Sequence, residues 1–180
     1  MGIKNTADNF GWLSKILHWL IFALFVVQYF LVYRREYFPK GSPEKLQYIL
    51  LHKSLGVCIL ILAFIMLLWR HVGTRPSMLA TMSTLEIRIA KATHVLLYVA
   101  MFLFPITGIS MSMFSGKGLS VFGWPLPNPV DKNETLSGFF YNSHVWISYV
   151  VMGLVGLHVL GALYHHFYRK IEFLTEEIEE

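Results

Sequence analysis

The chain has little charge and almost no cysteine, and both shortages exclude classes of protein. Charged residues make up 14% of its 180 residues, whereas 55% are hydrophobic. A soluble domain of this length needs more charge to cover its surface. The single cysteine, Cys58, excludes an internal disulfide, and the absence of CxxC and CxxCH excludes a zinc ribbon and a covalently attached c-type haem. The net charge is +4, and the basic residues are scattered rather than clustered in a stripe, which argues against nucleic acid as a partner.

Apolar runs of membrane-spanning length are what the sequence has in abundance. A bilayer core of roughly 30 Å needs about 20 mainly apolar residues in a helix. Four runs qualify, at about 14–33, 49–69, 93–114 and 144–167. They must satisfy their backbone polar groups internally, as helices do. No small-residue cleavage site precedes the first run, which predicts a retained helix rather than a signal peptide.

Capping signals at 42–44 and 83–86 predict that the second and third helices begin before their apolar runs. The predicted fold is all-α: one domain over 1–180, an integral membrane four-helix bundle with up-down-up-down topology. Its helices are expected at about 14–33, 43–70, 84–114 and 137–168. The connection 115–143 is expected to lie on the membrane surface as a partial lid.

Both termini of an even number of helices lie on one side of the membrane, here named the terminal side. The side that carries the connection 115–143 is named the loop side. Lys and Arg divide almost evenly, with a slight excess on the terminal side, which favours cytoplasmic termini. The acidic end at 176–180 is expected to be solvated.

Five histidines lie in or at the edge of the apolar runs: His18, His52, His94, His144 and His158. Ionisable groups are costly inside a bilayer, so five of them require a shared explanation. His144 and His158 are separated by 14 residues, which on a helix places them about 40° apart around the axis and about 21 Å apart along it. This spacing suits two cofactors stacked across the membrane.

The antiparallel order of the helices pairs the histidines by depth. His18 lies at the terminal-side depth of His158, and His52 lies at the loop-side depth of His144. Two pairs of imidazoles in an apolar bundle predict two non-covalent haem b groups with six-coordinate iron. Zinc is disfavoured because each layer lacks the third and fourth ligands of a closed site.

Several further residues have two interpretations each. His94 is either an alternative ligand or, preferably, a hydrogen-bonding group for a haem propionate or a substrate. Lys53 and Arg88 either pair with propionates or extend to lipid headgroups. His165, on the same face as His158, either moves protons during quinol oxidation or anchors its helix at the interface.

Three glycines of the fourth helix, Gly153, Gly156 and Gly161, also have two interpretations. They indicate either close helix packing or room for a flat cofactor. Close packing is the preferred interpretation.

Short segments in all four helices resemble the bacterial cytochrome b561 family. They are ILHW at 16–19, LHKSLG at 51–56, ATHVLLY at 92–98 with PITG at 105–108, and NSH at 142–144 with GLH at 156–158 and YHH at 164–166. Each segment is short, but their order and length together cover nearly the whole chain.

The resemblance implies a di-haem b protein of the bacterial inner membrane with cytoplasmic termini and with His18, His52, His144 and His158 as axial ligands. It also implies electron exchange with the ubiquinone pool and a small one-electron partner, for which the family suggests superoxide and a superoxide oxidase activity. Membrane lipid is an expected partner, and a homodimer is left open.

Two other functions stay open from the sequence alone. The bundle could be the haem-b membrane anchor and electron-relay subunit of a larger dehydrogenase, although its short loops offer little docking surface. It could instead be a histidine-based transporter, although no internal repeat of the kind common in transporters is present. The expected class is a quinone-linked oxidoreductase.

Overall fold

The computed structural model describes residues 2–7, 9–72, 74 and 82–168. Within these ranges the chain forms α1 (Trp12–Arg35), α2 (Pro43–Val72), α3 (Thr84–Phe114) and α4 (Glu134–Leu163), and a π-helical turn (Tyr164–Tyr168) continues α4. All four helices are long and apolar enough to cross a membrane. Many of their large apolar side chains face outward. The predicted all-α membrane bundle is confirmed, and the acidic end at 176–180 lies outside the described residues.

Local hydrogen bonds explain where α3 and α4 begin. The Ser83 hydroxyl accepts the Glu86 N–H at 3.3 Å, and the Glu86 carboxylate accepts the Ser83 N–H at 2.7 Å. The Asn133 side chain accepts the Leu136 N–H at 3.0 Å. This cap starts α4 at Glu134, earlier than the predicted residue 137, so the connection covers 115–133 rather than 115–143. The segment 134–143 is helical although it is too polar to be recognised as a membrane span.

The connection 115–133 contains a small antiparallel hairpin of β1 (Ser120–Val121) and β2 (Trp124–Pro125). Two hydrogen bonds attach it to α2. The Phe122 N–H donates to the Ser54 hydroxyl at 2.9 Å, and the Lys53 ammonium donates to the Gly118 carbonyl at 3.4 Å. The hairpin therefore rests on α2 directly beside His52.

The four helices are not equally close to one another. Helices that follow each other in the chain pack together, whereas no Cα atom of α4 comes within 8 Å of a described Cα atom of α1 or α2. Helix α4 therefore leaves space toward both. An apolar cavity of about 130 Å³ lies between α1 and α4. It is lined by Phe22, Phe25, Val26, Tyr29, Met152 and Val155.

Candidate haem-binding sites

The structure brings together the histidines that share a depth in the membrane. On the loop side, the ring centres of His52 and His144 are 6.1 Å apart and their planes are 87° apart. On the terminal side, the ring centres of His18 and His158 are 6.0 Å apart, with planes 58° apart. In each pair, one histidine belongs to α4 and the other to a helix whose described Cα atoms all lie more than 8 Å from those of α4.

These separations match what two axial imidazoles need. A metal–nitrogen bond of about 2 Å on each side, plus roughly 1 Å from each nitrogen to its ring centre, places the two centres roughly 6 Å apart. Histidine nitrogens are standard axial ligands of haem iron. Among the described residues, no group of three or more His, Cys, Asp or Glu side chains gathers into a metal site. A pair of imidazoles in each layer fits a metal whose other ligands belong to a macrocycle.

Helix α3 holds the His144 ring in a form that can bind a metal. Its Nδ1 lies 3.0 Å from the Phe104 carbonyl oxygen and 3.1 Å from the Thr107 hydroxyl. The hydroxyl itself donates to the same carbonyl at 2.8 Å. A carbonyl can only accept a hydrogen bond, so Nδ1 carries the proton and Nε2 keeps its lone pair. Such second bonds fix the tautomer and orientation of ligating histidines.

The close approach of this ring to α3 depends on a residue without a side chain. A Cβ atom added to Gly108 would lie 3.0 Å from the His144 Cε1 atom, which is closer than nearly all real Cβ contacts. The Phe104 ring packs on the other part of the imidazole, with ring centres 4.4 Å apart. The PITG segment at 105–108 thus provides space for His144, as well as part of the family resemblance.

The facing histidine, His52, is connected to α1. Its backbone carbonyl accepts a hydrogen bond from the Gln28 side-chain nitrogen at 3.0 Å. Within the described residues, the buried Nδ1 of His52 makes no hydrogen bond, and the same is true of the Gln28 side-chain oxygen. Sequence reasoning missed Gln28, Thr107 and Phe104, because a single polar or aromatic residue in an apolar run carries no information about the helix it will face.

The terminal-side pair has a third histidine beside it. His94 of α3 lies 5.3 Å from His158 between ring centres, which is closer than the 6.0 Å between His158 and His18. The rings of His18 and His158 make no hydrogen bond within the described part of the chain. The cluster is also more open than the loop-side pair, since His18 and His94 are exposed in the isolated bundle.

The structure assigns different surroundings to the two predicted cations. Lys53 is half-buried and bonded to the hairpin, next to His52, whereas Arg88 is exposed on α3. Two arginines that sequence reasoning missed lie within electrostatic range of histidines. Arg70 is within electrostatic range of His94, and Arg35 is within electrostatic range of both His52 and His144.

A pocket of about 610 Å³ opens on the loop side between α2, α3, the connection and the first turns of α4. Three lysines and one glutamate line it, together with Ser112, whose buried hydroxyl has no hydrogen-bond partner in the described part of the chain. The charged residues are Lys53, Lys117, Lys132 and Glu134. The excess of positive charge makes this pocket a place where a small anion is attracted.

The remaining predicted positions lie on α4 and its continuation. A Cβ atom added to Gly153, Gly156 or Gly161 would meet nothing within 4 Å, so the preferred interpretation of close helix packing is wrong for the described bundle. By helical geometry Gly161 shares the face of His158, whereas Gly153 points roughly the opposite way. His165 lies on the π-helical turn with its ring 5.4 Å from that of Tyr164.

Fold and site together define a membrane protein with two pairs of facing histidines inside a four-helix bundle. A family model described as prokaryotic cytochrome b561 matches residues 9–174. The chain belongs to this family, which confirms the resemblance, and it is accordingly a haem b protein of membrane electron transfer and a multi-pass bacterial membrane protein.

Three curated relatives agree with this assignment. Cytochrome b561 homolog 2 of Escherichia coli (strain K12) is 32% identical over 97% of this chain and 93% of its own length. Cytochrome b561 homolog 1 of the same strain is 27% identical over 91% of this chain and 93% of its own length. The probable superoxide oxidase CybB of Yersinia pestis is 25% identical over 86% of each chain.

Proposed function

We propose that this chain acts as one di-haem b domain that transfers electrons across the bacterial inner membrane between the ubiquinone pool and a small one-electron partner. His18 and His158 would hold one haem b, and His52 and His144 would hold the other. The observation that carries the proposal is the presence of two facing histidine pairs, with ring centres 6.0 and 6.1 Å apart. Bound haem supplies one-electron redox chemistry at its iron, and the chain supplies ligation, burial and charge.

The loop side is where we place the one-electron partner, and superoxide is the partner that its charge favours. Lys53, which follows His52 in the chain, lines the loop-side pocket together with Lys117 and Lys132. Positive charge around a cleft raises the rate at which a small anion arrives. The CybB relative from Yersinia pestis is named as a probable superoxide oxidase. The Lys53 ammonium would also pair with a haem propionate at this depth.

The terminal side is where we place the quinone. His94 lies exposed beside His158, and Arg70 lies near His94. Histidine can take up and release protons near neutral pH, and quinone reduction needs them. We assign proton delivery to His94 and His165, and pairing with a propionate or with the quinone to Arg88. With the termini in the cytoplasm, these protons come from that side.

The proposed reaction balances as follows. Two superoxide anions each give up one electron and leave as dioxygen. One ubiquinone takes up those two electrons and two protons and becomes ubiquinol. The enzyme is thus a quinone-reducing superoxide oxidase, in which the two substrates never need to meet.

A kinetic assay on the purified haem-loaded protein tests this function. We expect superoxide to drive ubiquinone reduction at a rate that falls as ionic strength rises, because salt screens the attraction between the pocket and the anion. Lys117→Gln should slow the reaction several-fold at low salt and converge with the unaltered protein at high salt. Lys40→Gln removes an exposed loop-side charge outside the pocket and should change nothing. Haem-loaded protein that reduces no quinone with superoxide would refute the assignment of this partner.

The anchor-subunit alternative makes a separate prediction for purification in mild detergent. A soluble subunit that co-purifies in equal amount would support that alternative. We expect none, because the hairpin is packed on α2 through Ser54 and Lys53 rather than projecting as a docking surface.

A further inference from the structure

Two consecutive residues of α1 reach two different helices. The Gln28 side-chain nitrogen donates to the His52 carbonyl of α2 at 3.0 Å, and the Tyr29 hydroxyl donates to the Ser148 carbonyl of α4 at 2.6 Å. Neighbouring side chains on a helix point about 100° apart, which lets one short segment contact two neighbours. Both acceptors can only accept, so the direction of each bond is determined by chemistry.

The two acceptors are attached closely to the loop-side ligands. One belongs to His52 itself, and Ser148 lies one helical turn after His144. Helices α2 and α4 do not approach each other within 8 Å between described Cα atoms. Their own backbones therefore do not determine the distance between the two rings. Helix α1 contributes no ligand to this layer, yet it is bonded to both helices that do.

The burial of the Gln28 amide has a free-energy cost. The residue is only 7% exposed, and its side-chain oxygen is buried without a hydrogen bond. A buried amide oxygen without a hydrogen bond destabilises the folded state, and an apolar residue at this place would avoid that penalty. The contact is local to the ligand, since a Cβ atom added to Gly56, one turn after His52, would lie 3.4 Å from the Gln28 nitrogen.

We propose that Gln28 and Tyr29 form a clamp that sets the spacing between His52 and His144 and thereby the ligation of the loop-side haem. Both are positioning residues, and the proposal rests on the di-haem function proposed above. The terminal-side pair has no such clamp among the described residues. The clamp therefore affects one haem of the two, and this asymmetry makes it testable.

Two variants remove one bond each, and each has a matched control. Gln28→Leu removes the amide and Tyr29→Phe removes only the hydroxyl. Gln47→Leu and Tyr33→Phe make the same chemical changes at exposed positions of α2 and α1. The readouts are the low-spin ferric electron paramagnetic resonance signals of the two haems and the transfer of each haem to an excess of a haem-scavenging apoprotein. The signal missing in His52→Ala identifies the loop-side haem.

We expect the loop-side signal of Gln28→Leu to shift and its haem to be held roughly 10- to 100-fold less tightly, which is the usual effect of removing a group that orients a metal ligand. Tyr29→Phe should act in the same direction and less strongly. The terminal-side signal and both controls should stay unchanged. If Gln28→Leu does not fold, Tyr29→Phe decides the question by the same readouts.

Loop-side signals and haem retention that stay unchanged in both variants would overturn the clamp, and so would equal changes at both haems. Unaltered protein that binds no haem would overturn the proposed function instead. Unaltered protein with two haems and insensitive variants would overturn the clamp alone.

Discussion

The loop-side and terminal-side histidine pairs have nearly the same ring separation but very different support. On the loop side, α3 orients His144 through the Phe104 carbonyl, and the hairpin covers α2 next to His52. On the terminal side, the rings of His18 and His158 make no hydrogen bond in the described structure, and the His94 ring lies beside that of His158. A pair of histidines is thus held by hydrogen bonds and packing in the loop-side layer and is less constrained in the terminal-side layer.

This difference suits two different tasks. A ligand that is oriented by a hydrogen bond and enclosed by neighbours holds its metal in one geometry. In the function proposed above, an open layer with a third histidine leaves access for the quinone and for the protons that its reduction consumes. Substitutions in and around each pair test this contrast.

Loss of a ligand should remove one haem and leave the other. We expect His144→Ala and His18→Ala each to retain about one haem per chain, because each breaks one of two separate pairs. Haem and protein are quantified together in the purified variants. Retention of both haems in His144→Ala would show that the loop-side pairing is wrong.

Replacement of His94 sharpens the contrast within the terminal-side layer. If His18 and His158 are the ligands, His94→Ala should keep both haems and slow only the reduction of quinone, with a changed pH dependence of that rate. The measurement is haem content together with a pH profile of quinone reduction. A variant that loses one haem would make His94 a ligand and would displace His18 from that role.

An alanine at Gly108 should weaken the loop-side haem alone. The added Cβ atom would lie 3.0 Å from the His144 ring, so the ring or α3 must shift. We expect roughly tenfold weaker retention of that haem, as for other disturbances of ligand orientation. Gly153→Ala, where a Cβ atom meets nothing within 4 Å, is the control. Equal behaviour of the two variants would mean that the close packing of α3 on His144 has no role.

The smallest expected effect concerns the α1–α2 connection near the loop side. The Lys45 ammonium, 3.2 Å from the Glu36 carboxylate, lowers the pKa of that carboxyl below its usual value. Such a group stabilises the folded state above the ordinary carboxyl pKa, and the contribution is lost as the pH falls through the lowered value. Because Glu36 is exposed, we expect Glu36→Gln to lower the Tm only slightly at neutral pH.

A pH series of Tm values in detergent checks this prediction. The difference between Glu36→Gln and the unaltered protein should disappear in acid, where the carboxyl of the unaltered protein is protonated. A difference that grows as the pH falls would contradict the sign of this linkage. Haem content should be the same in both proteins.

Much of this architecture could be predicted from the sequence because the membrane imposes strong rules. Apolar length predicts the spans, and antiparallel order with histidine depth predicts which rings meet. The start of α4 was missed because the Asn133 cap precedes a polar turn that lies beyond the apolar run. The supporting groups Gln28, Thr107 and Phe104 could not be predicted, since their roles depend on helix rotation, which apolar composition alone leaves undetermined.

The most direct test of the central claim is the dithionite-reduced minus oxidised visible spectrum of the purified protein, with haem and protein quantified in the same sample. We expect a sharp b-type α band, about two haems per chain, and complete release of both into acidified organic solvent. A protein expressed with ample haem that shows no such band would contradict the claim, and so would haem that stays with the chain in that solvent.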